Sequence, residues 1–280
     1  MESAASCASM RSRLRHAFHT GLSLPLGTES HLAGALRDTL QHPGSMVRAE
    51  LAFRIACSFE LDEDRAENLA IAIEYFHTAS LLFDDLPSMD DANLRRGVPC
   101  AHHVHGEGAA ILAALALINR AYSLVWKSIA GLSPVVQAAA LSYLERHLGL
   151  AGLLNGQSQD LHYSRLAPRL REPQSIAMGK TVSLIRLALV LPAIAGHARA
   201  EEIHQLDRLA IFWGLSYQTL DDLKDVLHGD HVHGKTAARD AFLDRPNLAL
   251  TIGVPESFDR VDRLVNLAGL VIARLVERRA

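Results

Sequence analysis

The sequence has few cysteines. Cys7, Cys57 and Cys100 are odd in number and share no CxxC spacing. That excludes a disulfide framework and a cysteine-based zinc site, and it fits a reducing, cytoplasmic setting. Aromatic residues are also scarce, at 5% of the chain, so the interior must be packed mainly with aliphatic side chains. Positive charge is not in excess: 28 basic against 31 acidic residues leave a net charge of −3. No general polyanion-binding surface follows from this, and no nucleic-acid partner is expected. The longest apolar stretches, 108–118 and 184–196, fall short of the roughly 18 residues of a bilayer span, and Arg186 interrupts the second. No membrane span is therefore expected. Arg11, Arg13 and Arg15 are not followed by the apolar stretch of a secretory signal, so residues 1–25 read as a loosely ordered leader.

Strand-like alternation is missing as well, and helical periodicity fills the space. Apolar residues recur at helical spacing over about 30–41, 47–60, 63–86, 107–130, 134–155, 173–195, 199–228 and 258–279. In the last of these, Val261, Leu264, Val265, Ala268, Val271, Ile272 and Leu275 form the apolar face. Breakers fall between the segments, at Pro43-Gly44, Pro99, Pro134 and Pro168. The pattern predicts one all-α domain over 1–280, a helical bundle. Helices that are apolar around most of their circumference, such as 107–118, predict burial on several sides or a subunit contact. Trp126 and Trp213 read as core or interface residues.

Two aspartate clusters stand out. A strongly apolar helix from about 66 to 86 ends in Asp84-Asp85-Leu-Pro-Ser-Met-Asp90-Asp91. The C-terminal end of a helix already presents partial negative charge, so each carboxylate there costs ~0.3–1 kcal/mol. A stability rule broken this plainly points to function. Pro87 stops the helix, which lets Asp90 and Asp91 curl back toward Asp84. The second cluster is Asp221-Asp222-Leu-Lys-Asp225, where Asp221 and Asp225 share one helix face. Carboxylates without interleaved histidine or cysteine suit magnesium, a hard cation that keeps several waters. Arg95, Arg96, Lys180 and Lys235 supply counter-charges for a diphosphate. Two histidine groups, His102/His103/His105 and His228/His231/His233, have spacings that could bind zinc, though contacts to anions or solvent are the simpler reading. Gly106-Glu107-Gly108 lacks the preceding strand and third glycine of a nucleotide loop.

The run from Asp84 through Asp90-Asp91 to Arg95-Arg96-Gly97 resembles the first aspartate-rich motif of the trans-isoprenyl diphosphate synthases, the polyprenyl synthetases. Tyr217-Gln218-Thr-Leu-Asp221-Asp222-Leu-Lys-Asp225 resembles the second motif, and Gly234-Lys235 with Asp240 the loop after it. Gly156-Gln157 with Asp160, and Lys180-Thr181, match the signatures between them. The similarity covers about residues 40–250 and is nearest to the geranylgeranyl diphosphate synthases of bacteria.

The resemblance implies an isoprenoid synthase-type bundle around a deep cavity, usually homodimeric. It implies three Mg²⁺ ions, with Asp84 and Asp90 holding two and Asp221 a third, supported by Asp85, Asp222 and Asp225. Arg95, Lys180 and Lys235 would bind an allylic prenyl diphosphate, Gln157 would join the substrate contacts, and Thr181 and Gln218 would line the cavity. The reaction would be condensation with isopentenyl diphosphate. Ala79 and Ser80 occupy the positions that limit chain length in the family; both are small, and Phe76 one turn deeper would be the floor for a C20 product.

One stretch departs from the pattern. The family's Gly-Gly-Lys-Arg-x-Arg-Pro signature corresponds to Pro43-Gly44-Ser45-Met46-Val47-Arg48-Ala49, so a lysine and an arginine are replaced by Ser45 and Met46. Arg48 remains, with His77 and Arg96 as further candidates for the isopentenyl diphosphate site, and Arg245 could replace the basic residue that follows Lys235 in the family. Loss of two cations opens two alternatives: a terpene cyclase or coupling enzyme that uses the allylic site alone, and a non-catalytic partner subunit.

Overall fold

The computed structural model describes residues 4–167, 172–227 and 244–277. These fall into two compact units, one up to Ser133 and the other from Pro134. Apart from one two-residue hairpin, the regular elements described are helices.

The first unit is built on α4, Glu63–Asp84, which packs against α3, Val47–Ser58, and α6, Glu107–Ile129. Asp62 caps α4 by accepting from the Arg65 N–H at 3.0 Å, and Glu63 and Asp64 complement the dipole in its first turn. Small residues let α4 be enclosed on nearly all sides: Ala66, Ala70, Ala72 and Ala79 are fully buried, with Leu69 and Ile73 between them. Two shorter helices, α2 (Ser30–Gln41) and α5 (Ala101–His105), complete the unit with α1.

The opening residues differ from the expected loose leader. They form α1, Ala4–Thr20, whose Leu14 and Phe18 are fully buried and whose Phe18 carbonyl accepts from the Tyr75 hydroxyl at 2.7 Å. Leu14 and Phe18 are one helical turn apart, a short apolar stripe that the surrounding arginines mask in the sequence.

In the second unit α10, Ser183–Ala195, is the buried centre, packed by α7 (Pro134–Leu148) and α11 (Ala200–Leu227). The predicted helix 134–155 is broken at Gly149–Gly152, and α8, Leu153–Leu161, starts afresh. The predicted helix 173–195 contains a π-type turn, Met178–Val182, between α9 (Pro173–Ala177) and α10. α12 (Leu248–Ile252) and α13 (Val254–Glu277) pack on α11. On α13 the buried stripe is Val261, Leu264, Ala268 and Val271, whereas Val265 and Ile272, read as part of it, are exposed.

By length and composition alone, Glu107–Ile129 and Pro173–Ala195 are long and apolar enough to cross a bilayer, a test that core helices also pass; the second is 67% buried inside the fold and the first 39%. Neither Cys57 nor Cys100 is in a disulfide among the described residues.

Candidate active site

The first aspartate motif folds back on itself. Helix α4 closes with the Asp85 N–H donating to the Leu81 carbonyl at 3.0 Å. The chain then turns so that the Asp90 N–H donates to the Asp84 carbonyl at 2.9 Å, the Asp91 N–H to Leu86 at 2.9 Å and the Ala92 N–H to Asp85 at 3.1 Å. Asp91 takes a left-handed φ of 46° to complete this return. The curl expected from Pro87 is thus built by backbone hydrogen bonds, which place Asp84 and Asp90 beside one another.

A tight hairpin aims the paired arginines. Leu94 pairs with Pro99 and Arg95 with Val98, so Arg96 and Gly97 are the two turn residues, with φ of 56° and 81°. Two positive φ values are what a two-residue turn of this hand requires. Because they stand at successive positions around the turn, the arginines diverge. Arg95 binds Asp85, with Nε donating to Oδ1 at 2.9 Å and Nη2 also on Oδ1; both side chains are largely buried. Arg96 folds over the Pro43-Gly44 turn, donating from Nη1 to the His42 carbonyl at 2.7 Å. Gly44 has a φ of 72°, which other residues rarely adopt, and a Cβ there would lie 2.3 Å from the Arg96 Cζ and displace that guanidinium.

The stretch that departs from the family lies beside this arginine. Met46 is buried with a left-handed φ of 58°, Ser45 is exposed, and Arg48 meets His77 through Nη1 and Nε2 at 3.1 Å. The structure therefore groups Arg48 with His77, and Arg96 with the Gly44 turn. Sequence reasoning missed Glu74, which is buried one turn before His77 and accepts from the Ala49 N–H at 3.3 Å. Burial raises its pKa, against the opposing pull of Arg48 and Arg96. A charged residue inside an otherwise apolar helix was the available signal.

Ala79 is fully buried and the Ser80 hydroxyl donates to the His77 carbonyl at 2.8 Å. Phe76 packs edge-on against Tyr122 of α6, their ring centroids 5.1 Å apart.

In the second unit, α8 and the π-type turn cross at two glycines. A Cβ on Gly156 would lie 2.3 Å from the Lys180 nitrogen, and one on Gly179 2.8 Å from the Gly156 Cα. This crossing brings the Lys180 ammonium to Asp160 Oδ2 at 2.7 Å and sets Gln157 on the adjoining turn of α8. Thr181 donates to Gln218 Oε1, and Gln218 Nε2 donates to Asp222 Oδ1 at 2.8 Å.

Asp222 is buried and also accepts from the Leu248 N–H at 2.8 Å. Desolvation lifts its pKa to about 6, although the Leu248 and Gln218 hydrogen bonds oppose this. Asp222 therefore anchors α12 to α11, a role its place in an acidic cluster does not disclose. Asp221 and Asp225, half-buried, are left as the pair on one helix face. Arg245 donates to the Asp160 carbonyl at 3.2 Å. Lys235, Gly234, Asp240 and the histidines at 228, 231 and 233 lie outside the described residues.

Among the described residues, no three histidine, cysteine or carboxylate groups converge on one point. His105 instead binds Asp38 at 2.7 Å, and His102 stacks on His103. Carboxylates offered two at a time, Asp84 with Asp90 and Asp221 with Asp225, fit Mg²⁺, which is commonly held by one or two carboxylates plus substrate phosphates and water.

Fold and site together define an isoprenoid synthase-type protein. The sequence profile of the polyprenyl synthetase family matches residues 29–267, and the chain belongs to that family. It is 36% identical over 247 residues to geranylgeranyl pyrophosphate synthase 3, chloroplastic, of Arabidopsis thaliana, covering 87% of this chain and 69% of that protein. Geranyltransferase from Helicobacter pylori, solved with magnesium and isoprenyl diphosphate, superposes with a TM-score of 0.84 at 23% identity over 98% of this chain and 92% of that one. An FPP/GFPP synthase from Zymomonas mobilis gives 0.82 at 23% identity over 97% and 94% of the two chains.

Proposed function

We propose that the protein is a magnesium-dependent prenyltransferase that condenses an allylic prenyl diphosphate with isopentenyl diphosphate to a C20 product, geranylgeranyl diphosphate. The observation that carries this reading is the backbone return at α4, which pairs Asp84 with Asp90 at the end of an apolar helix. Kinship with geranylgeranyl pyrophosphate synthases supports the product class. In this reading Asp84 and Asp90 hold two Mg²⁺ ions and Asp221, with Asp225 beside it, a third. The bound metal supplies positive charge to a departing diphosphate.

The chain's own residues do the rest. In this reading Lys180, which donates to Asp160, holds the allylic diphosphate. Arg95 fixes the Asp85 carboxylate. When the allylic C–O bond breaks, its electron pair leaves with the diphosphate and an allylic cation remains. The double bond of isopentenyl diphosphate attacks that cation, and a proton leaves the new centre for the released diphosphate. The Thr181–Gln218 pair offers dipoles without a nucleophile stronger than a hydroxyl already engaged in a hydrogen bond. Arg48, His77 and Arg96 are the groups left to hold isopentenyl diphosphate. In this reading Phe76, packed edge-on against Tyr122, is the floor beneath Ala79 and Ser80.

Homodimerisation completes the reading. Ile111, Leu112, Leu115, Tyr122 and Trp126 leave a row of apolar side chains exposed along α6, which suits a subunit contact. Burial of Met46 where the family carries a cation favours a second reading, ionisation without isopentenyl diphosphate. Purified protein incubated with farnesyl diphosphate and Mg²⁺, with and without isopentenyl diphosphate, separates the cases. A C20 diphosphate formed only with both substrates supports condensation. Hydrocarbons or alcohols formed without the second substrate support cyclisation, and absence of turnover supports a partner role.

A further inference from the structure

Outside the aspartate motifs, the second unit contains a cleft of about 410 Å³ between α7, α10 and the start of α11. Its charged lining consists of Arg146, Arg186 and Asp207, with His147, His204 and Tyr143 beside them. Asp207 is already engaged: Arg186 donates to it from Nε at 2.7 Å and from Nη2 at 3.1 Å, and the Tyr143 hydroxyl reaches it at 3.4 Å. That pairing cancels one positive charge. The Arg186 Nη1 edge makes no hydrogen bond to a described residue, and Arg146 has no carboxylate within 4 Å among the described residues.

His147 sharpens the case. The residue is 6% exposed, and among the described residues its ring makes no hydrogen bond, only a stack on Tyr143 with ring centroids 4.3 Å apart. Its ring nitrogens are therefore available to a ligand that enters the cleft. Burial first, then Arg186 and Arg146 against the opposing pull of Asp207, holds its pKa down at about 4, so the ring is neutral at pH 7 and can donate from one nitrogen. The first residue of α11, Ala200, also lines the wall and adds the positive end of a 28-residue helix. Ala151 and Ile203 supply an apolar side.

We propose that this cleft binds a diphosphate group, free or carried on a prenyl chain, without a metal ion. Arg146 and the Nη1 edge of Arg186 grip the oxygens, and His147 and His204 donate from their rings. The proposal does not rest on the assignment of the aspartate motifs, because those carboxylates repel a diphosphate when no cation is present.

The test is calorimetric titration of the full chain in EDTA with inorganic pyrophosphate and, separately, with geranyl diphosphate. His147 is followed by NMR of its imidazole. Saturable binding of either ligand is expected, with the His147 titration moved to higher pH. Arg146→Met should weaken binding by about tenfold or more, and His204→Gln should weaken it less. Both side chains are exposed, so the variants should fold and retain prenyltransferase activity. Preference for geranyl diphosphate over pyrophosphate would assign the apolar wall to the prenyl chain; equal binding would assign the site to the diphosphate alone. Absence of binding in EDTA, or binding indifferent to Arg146→Met and lost instead in Lys180→Met, would overturn the proposal.

Discussion

Replacing Arg95 with methionine tests how the first motif is held. The Asp85 side chain is 5% exposed and that of Arg95 17%, so the pair sits in a poorly solvated position. Removing one partner leaves a carboxylate buried without its counter-charge, which costs roughly 3–5 kcal/mol. For a chain of this size about 1 kcal/mol moves the melting temperature by roughly 2–4 °C, so a fall of about 10 °C is expected in a thermal melt followed by circular dichroism. Asp85→Asn alone should also destabilise, because it leaves the guanidinium buried without its anion. The double variant should recover much of the loss, giving a coupling energy of about 2 kcal/mol or more. Additive single effects, or an Arg95→Met protein that melts within about 3 °C of the wild type, would refute the claim that Arg95 is committed to Asp85.

Four further outcomes are expected. Ala79→Phe should shift the product of farnesyl or geranyl diphosphate extension to shorter chains, read by chromatography of the dephosphorylated alcohols; an unchanged product would remove Ala79 from the tunnel. Gly156→Ala should displace Lys180, since its Cβ would meet the Lys180 nitrogen at 2.3 Å, and should lower both kcat/KM and the melting temperature. Ser45→Lys, at an exposed position, should lower KM for isopentenyl diphosphate with kcat little changed, whereas Met46→Arg should destabilise because that side chain is buried. His147 titrates near 4 in the fold against about 6.5 unfolded, so its contribution to stability is complete above pH 6.5 and is lost as pH falls toward 4. His147→Gln should therefore flatten the decline in melting temperature between pH 7 and pH 4.5 relative to the wild type.

The helices were readable because their apolar periodicity is long and uninterrupted, and the aspartate pairs because carboxylates at the end of an apolar helix violate a local rule. What escaped depends on contacts that periodicity does not encode. The π-type turn at Met178–Val182 continues the hydrophobic pattern without a break, and only the crossing of Gly156 and Gly179 requires it. Asp222 and Asp221 are adjacent and chemically identical in the sequence, yet the Leu248 N–H claims one and leaves the other on the open face. Arg95 and Arg96 are adjacent and alike in the sequence, yet the hairpin turn between them sends one to Asp85 and the other across Gly44. Helix α1 was read as a leader because Leu14 and Phe18 are too few apolar residues to show against three arginines.

The central claim is that Asp84 with Asp90, and Asp221 with Asp225, each hold metal when an allylic diphosphate binds. It is tested most directly by counting bound Mn²⁺, as a magnesium substitute, by electron paramagnetic resonance in the presence of a non-ionisable allylic diphosphate analogue. The account predicts that Asp84→Asn and Asp221→Asn each lower the count and that the double variant binds none tightly. An undiminished count in both single variants would contradict it.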